Sequence, residues 1–281
     1  MAPDLIAVGD VMLDGSLPEP VPGRRVHGHI ALRPGGSAVN VALAAARRGA
    51  RALVVGRVGD DAAGRLVETA LAEAGVEAHL ARDAGAATGC VVVAGTAIVA
   101  DPGASGRLAP GDVPEALEAG AVIVSGYSLL APGPGAAARA ALERARTPCL
   151  AVDAASARLV TSFGVEAFFE ATRDVDVLLA NGEEAGVLTG LDAEGAAVAL
   201  ARRYRVVCVK LGPEGAVAAT GDTVAHVVPE RLDAGDALGA GDAFAAGFLL
   251  ALAGGSNLER ALRDGCDSAA AAISGAAWGR I

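Results

Sequence analysis

A chain of 281 residues with 38 glycines and a net charge of −10 is long enough to bury a substantial core, as one large domain with an appendage or as two modest domains. Its acidity, with a pI near 4.9, argues against nucleic acid or an anionic membrane surface as the main partner. Of the 23 basic residues only Lys210 is lysine, and it follows Val209 rather than glycine, so a phosphate loop of the G-x-x-x-x-G-K-[ST] kind is excluded.

Leu5 to Gly9 is a short apolar run closed by glycine, which predicts a buried strand entering a loop that carries Asp10 and Asp14. Residues 15–33 are irregular and proline-rich, and they predict an extended flap. Gly35-Gly36 then opens a helical stretch, Ser37 to Arg48, with Asn40 one turn in. Ala52 to Val58 reads as the next strand, followed by Gly59-Asp60-Asp61 and a helix to about Ala74. Residues 77–100 break this alternation. There Gly89 to Val93 and Thr96 to Val99 predict a hairpin around Gly95, a second contribution to the flap.

Alternation resumes with strands at Val122 to Ser125, Cys149 to Val152, Val175 to Ala180 and Val206 to Leu211. Helical runs at Gly135 to Arg146, Val165 to Thr172, Glu183 to Thr189 and Glu194 to Tyr204 separate them. Ala216 to Thr220 and Thr223 to Val228 are short enough for edge strands. Leu232 to Ala253 joins an acidic, glycine-broken turn to an apolar helix, and Leu258 to about Ile273 is the last helix. Such alternation implies a mostly parallel sheet with helices on both faces.

Cys90, Cys149, Cys208 and Cys266 are widely spaced without a C-x-x-C pair, so neither zinc nor a disulfide framework is expected. Asp4 and Asp10 interrupt the first apolar stretch, which has no basic leader, and a cytoplasmic location is expected. The uncharged run Ala119 to Ala138 is broken by Gly126 and by Pro132 to Gly135, so it predicts no membrane span.

The chemistry concentrates in Gly239-Ala240-Gly241-Asp242. Two glycines around a small residue allow a tight turn, and the helix they open presents N–H groups and a positive dipole end to an anion. Asp242 at such a helix start has an ordinary alternative as an N-terminal cap. Against that, Asp14, Asn181, Glu184, Lys210 and Gly212 all follow or end predicted strands, and ligands of parallel sheets collect at the strands' carboxyl ends.

Together these segments resemble the PfkB carbohydrate kinase family, also called ribokinase-like, along essentially the whole chain. PGGSAVNVALAAARRGARALVVGRVGDDAAG, residues 34–64, is similar to that family's N-terminal signature, and DALGAGD, residues 236–242, to its C-terminal D-T-x-G-A-G-D signature. Asn181-Gly182-Glu183-Glu184 resembles its N-x-x-E magnesium motif, and Lys210 to Gly215 its nucleotide loop.

The resemblance implies a three-layer α/β/α fold of ribokinase type, one domain over 1–281 with a small β lid from about 15–33 and 77–100. It implies transfer of the γ-phosphoryl group of ATP with Mg2+, and with K+ or a similar monovalent cation as a further candidate. By the same resemblance Asp242 is the catalytic base, and the N–H groups of Gly239, Ala240 and Gly241 stabilise the moving phosphoryl group. Asp14, Gly35, Gly36 and Asn40 hold the acceptor, while Asn181, Lys210, Gly212, Gly215 and Asp236 hold the nucleotide. Glu184 acts on magnesium through water. Two lids could pair into a homodimer, as in several relatives.

Three positions depart from the pattern. Ala237 replaces the usual threonine, Ala269 to Gly279 matches the family's cation loop only loosely, and Met12 stands where ribose-using members carry a polar residue. The leading reading is a kinase for a primary hydroxyl of a sugar or related polyol. A nucleoside acceptor is the alternative within the family, although neither flap segment contains Phe, Tyr or Trp and Tyr127 is the one aromatic in reach. A dinucleotide-dependent oxidoreductase would need G-x-G-x-x-G after an early strand, where the chain has Gly9-Asp10-Val11. A binding protein that lost catalysis is the third alternative, opposed by the intact Asp242.

Overall fold

The computed structural model describes residues 2–17, 23, 25, 27–94, 97–229 and 238–274. In chain order the first half contains β1 (Leu5–Val8), β2 (Met12–Leu17), β3 (Ala31–Gly35), α1 (Ser37–Arg47), β4 (Ala52–Gly59), α2 (Ala62–Glu73), β5 (Glu77–Asp83), β6 (Thr88–Ala94), β7 (Ala97–Gly103), β8 (Leu117–Glu118), β9 (Ala121–Ser125), α3 (Gly126–Leu130) and α4 (Gly135–Arg144). The second half contains β10 (Ala145–Arg146), β11 (Leu150–Asp153), α5 (Ala157–Phe163), α6 (Val165–Ala171), β12 (Val177–Asn181), α7 (Gly182–Thr189), α8 (Ala193–Leu200), β13 (Val206–Lys210), β14 (Ala216–Thr220), β15 (Thr223–Val227), α9 (Ala240–Ala253) and α10 (Leu258–Ile273).

Among the described residues the main sheet runs β15-β14-β13-β12-β11-β9-β1-β4-β5. All its pairings from β13 to β5 are parallel, and β14 and β15 close the other edge as an antiparallel hairpin. The central strands are continuous apolar runs because helices cover both of their faces. Alternate residues still divide between the layers. Leu5, Ala7, Ala121 and Ile123 pack toward α1, α9 and α10, whereas Ile6, Val8, Val122 and Val124 pack toward α3 to α8.

A second sheet, β3-β2-β6-β7, stands apart from the first. Its composition corrects two sequence expectations. Glu77–Asp83 pairs in parallel with β4 at the edge of the main sheet, so it is no part of the small one. Asp14 lies within β2 and pairs with Arg33 of β3 and Val91 of β6, not in a loop. The hairpin expected around Gly95 forms between β6 and β7, although residues 95–96 lie outside the described set. No helix among the described residues is long and apolar enough to cross a membrane, and the four cysteines are unpaired.

Candidate active site

Five adjacent strands of the main sheet end in polar residues: Lys210 on β13, Asn181 on β12, Asp153 on β11, Ser125 on β9 and Asp10 just past β1. The registers hold them in a row, with Asn181 paired to Lys210 and Asp153 to Ser125. Neighbouring strands lie about 4.8 Å apart, so the row lines one continuous carboxyl edge. Above it opens a cavity of about 760 Å3, whose opposite wall comes from the small sheet through Val91, Ile98, Ala100 and Pro102.

The chain enters α1 through two glycines that no larger residue could replace without displacement. A Cβ on Gly35 would fall 2.1 Å from the Asp14 carboxyl carbon, and one on Gly36, whose φ is 88°, would fall 2.4 Å from the Asp10 carbonyl oxygen. Asp10 then fixes the helix start. Its Oδ2 accepts from the Ser37 amide at 2.7 Å and its Oδ1 from Ser125 Oγ at 2.8 Å. Asp14 is buried beside this turn.

α1 delivers its polar side chains to α9. Ser37 Oγ donates to Asp242 Oδ1 at 3.0 Å, and Asn40 Nδ2 donates to Asp242 Oδ2 at 2.9 Å. These contacts belong to a neighbouring helix, so Asp242 is held by α1 rather than spent on capping its own. Gly239 starts α9 in the left-handed region, with φ 79°, and brings the first N–H groups of the helix to the cavity floor beside Asp242. Burial pushes the Asp242 carboxyl up to about 7; Asp153 adds to the rise, and the Asn40 hydrogen bond, Lys210 and Ser37 oppose it.

Asn181 and Glu184 form a reciprocal helix cap at the start of α7. The Asn181 side chain accepts from the Glu184 amide at 2.8 Å, and Glu184 Oε2 accepts from the Asn181 amide at 2.8 Å. Glu184 Oε1 also accepts from Asn181 Nδ2 at 2.7 Å. Glu184 is 2% exposed, yet it borders the cavity, and burial followed by the Asp153 charge raises its carboxyl to about 7.

Lys210 Nζ lies 2.5 Å from Asp153 Oδ2. Burial alone would lower the Lys210 pKa, but Asp153, then Glu184 and Asp242, raise it. Asp10, Asp14, Asp153, Glu184 and Asp242 all line the cavity, and Lys210 is the only cation among its described lining residues. Tyr127, half exposed in the first turn of α3, faces the same group of acids. Burial first, then Asp242, Asp10, Glu184 and Asp153, push its hydroxyl up to about 12. Ala155, beyond β11, holds φ 69° and donates its amide to Asp153 Oδ1 at 3.2 Å, a strained turn at the cavity wall.

Most residues singled out in the sequence therefore border one cavity: Asp14, Gly36, Asn40, Asn181, Glu184, Lys210, Gly239, Gly241 and Asp242. Gly35 and Ala240 are not among the lining residues, though each is next in the chain to one that is. Gly212 and Gly215 lie in the tight turn after β13, outside the described walls. Asp236 and Ala237 fall outside the described residues, as does the end of the expected cation loop from 275 onward. Sequence reasoning missed Asp10, Ser37, Ser125 and Asp153. Asp153 had a signal, because it closes the apolar run of β11 as Asn181 closes β12 and Lys210 closes β13.

Comparison with known proteins agrees with this architecture. The adenosine kinase from Sinorhizobium meliloti superposes with a TM-score of 0.87 at 26% identity, covering 98% of this chain and 94% of that one. A probable sugar kinase from Rhizobium etli CFN 42 gives 0.84 at 25% identity over 97% and 93%. The fructokinase from Vibrio cholerae O395, in its fructose, ADP and calcium ion bound form, gives 0.79 at 25% identity over 96% and 92%. Among curated proteins, the bifunctional protein HldE of Ectopseudomonas mendocina (strain ymp) is 48% identical over a stretch amounting to 28% of this chain and only 18% of that protein's length. The pfkB family carbohydrate kinase pattern matches residues 2–277, and the chain belongs to that family.

Proposed function

We propose that this protein transfers the γ-phosphoryl group of ATP to a primary hydroxyl of a sugar or related polyol, with Asp242 as the base. One observation carries the reading: Asp242 borders the cavity at the N-terminal turn of α9, held there by donors from α1. The acceptor oxygen bonds to the γ-phosphorus as the bond to the β,γ-bridging oxygen breaks. ADP leaves with that electron pair, and the hydroxyl proton passes to Asp242. A carboxyl with a pKa of about 7 suits the task, since about half of it is ionised at neutral pH and it is basic enough to accept a proton as the hydroxyl reacts. The N–H groups of Gly239, Ala240 and Gly241 would stabilise charge on the phosphoryl oxygens.

The residues fit a magnesium ion. Glu184 is buried, its carboxyl is pushed up partly by Asp153, and this crowding of acids is what a divalent cation would relieve. No group of three or more acidic, histidine or cysteine side chains among the described residues forms a metal cage. Magnesium tends to keep several waters, so Glu184 and Asn181 would reach it through water, and the nucleotide's phosphates would hold it alongside them. When bound, it supplies charge neutralisation on the phosphates.

Asp14, buried beside Gly35 and Gly36, is assigned to the acceptor hydroxyls. Likeness to the fructose-bound fructokinase and to the probable sugar kinase supports a sugar. A nucleoside is the second reading, favoured by the half-exposed Tyr127 ring at the cavity wall and by likeness to the adenosine kinase. The small sheet is assigned as a lid over the acceptor. Its exposed Leu32, Ile98 and Val99, with Ile30 just before β3, suit pairing of two lids in a homodimer, which light scattering would detect and a monomer would refute. The function is tested by ADP release from purified protein against sugars, polyols and nucleosides. No acceptor-dependent release from any of them would reject it.

A further inference from the structure

We propose, resting on the kinase reading, that Lys210 is the side chain that contacts the γ-phosphoryl group, and that Asp153 holds its ammonium ready until the nucleotide binds. The geometry comes first. Lys210 ends β13, and its Nζ stands 3.6 Å from where a Cβ on Gly241 would be, next to the opening turn of α9. The ammonium is thus beside the N–H groups that would receive the phosphate. It carries three N–H donors, and the bond to Asp153 engages one of them.

Charge makes the same point. Five carboxylates line the cavity against this one cation among the described residues. A helix N-terminus offers only about half an elementary charge. A triphosphate entering so acidic a cavity needs a further cation at its terminal phosphate, and among the described lining residues Lys210 is the side chain able to supply it. Its flexible four-carbon stem lets a point charge follow the phosphoryl group from donor to acceptor. A purely structural ion pair would have no need to border the cavity, yet both partners do, with side chains 16% and 12% exposed.

Asp153 fits as the positioning partner. It sits on β11, the neighbour of β12, and reaches across to the end of β13. The Ala155 amide on its other oxygen fixes the carboxylate from behind. During transfer, negative charge spreads over the three equatorial oxygens of the phosphoryl group, and Lys210 would hold one while the α9 amides hold the others.

The test compares affinity for ADP and for a non-hydrolysable ATP analogue, each with magnesium, by calorimetry on the whole protein. Removing Lys210 alone would leave Asp153 buried and unpaired, which can unfold the chain. The decisive variant is therefore D153N/K210M, judged against D153N. Affinity for the analogue should fall about tenfold from D153N to the double variant, the size of one charged hydrogen bond, with affinity for ADP almost unchanged. K210R should recover most of the loss. A double variant that keeps the preference of D153N for the triphosphate overturns the assignment, as does an equal loss for both nucleotides. A native protein that binds neither nucleotide rejects the kinase reading itself and this inference with it.

Discussion

Asn40 Nδ2 donates a 2.9 Å hydrogen bond to Asp242 Oδ2, joining α1 to α9 across 202 residues of sequence. This makes Asn40 a partner of the proposed base, whereas the sequence had assigned it to the acceptor. Its bond lowers the Asp242 pKa, as does the one from Ser37, so removing either donor raises it. In N40A and S37A the acidic limb of the kcat/KM profile should move to higher pH, further in N40A. An unmoved limb with a raised KM would return Asn40 to the acceptor.

Burial and neighbouring acids hold the Asp242 and Glu184 carboxyls near 7 in the folded protein, above their ordinary values. The fold therefore binds protons that the unfolded chain has already released. The stability these groups contribute is present below the ordinary carboxyl range and is lost as pH rises through about 7. The unliganded protein should melt at a higher temperature near pH 5 than near pH 8, and D242N should narrow that difference. Calorimetric scans on both proteins check it, and a variant with the native slope would contradict it.

Glu184 is assigned two tasks, and one substitution separates them. Glutamine at N3 keeps the reciprocal cap that glutamate makes with Asn181 but removes the charge. E184Q should melt close to native and need more magnesium for half-maximal rate. Alanine at 181 and 184 should add a loss of about 1 kcal/mol from the cap. A magnesium titration unchanged in E184Q would leave the residue a cap only.

Much of the fold was legible because the buried strands announce themselves as apolar runs, LIAV, AVIVS and VVCV, with glycine or a polar residue at each end. Glu77–Asp83 misled because it is an edge strand: mostly exposed, it lacks the apolar run of its neighbours and looked like flap. The five-residue α3 and seven-residue α5 are too short for a helical period to show. The GAGD turn pointed to an anion site, but only the convergence of Asp14, Asn181, Glu184, Lys210 and Gly212 at predicted strand ends weighed against reading Asp242 as a cap. The partners of that turn did not show, since Ser37 and Asn40 meet Asp242 only after α1 and α9 pack side by side. Asp153 gains its meaning only when β11 lies next to β12 and within reach of β13.

Acceptor choice follows from what borders the cavity. With Asp14 beside the glycine turn and no aromatic on the described small-sheet wall, hydrogen bonds rather than stacking should select, and a sugar or polyol should exceed any nucleoside in kcat/KM. Ribose, fructose, sugar acids, adenosine, inosine and pseudouridine at matched concentration decide between them. Should a nucleoside lead, Tyr127→Ala should raise its KM, because that ring would then forgo about 0.5 to 1.5 kcal/mol of stacking.

The central claim is that Asp242 takes the proton of the acceptor hydroxyl. The direct measurement is single-turnover phosphoryl transfer by D242N, using the best acceptor, with nucleotide affinity and circular dichroism recorded on the same sample. The account predicts native dichroism, near-native nucleotide affinity and a rate lower by several orders of magnitude, because the helix start is kept and the base is lost. Near-native turnover in D242N would contradict it.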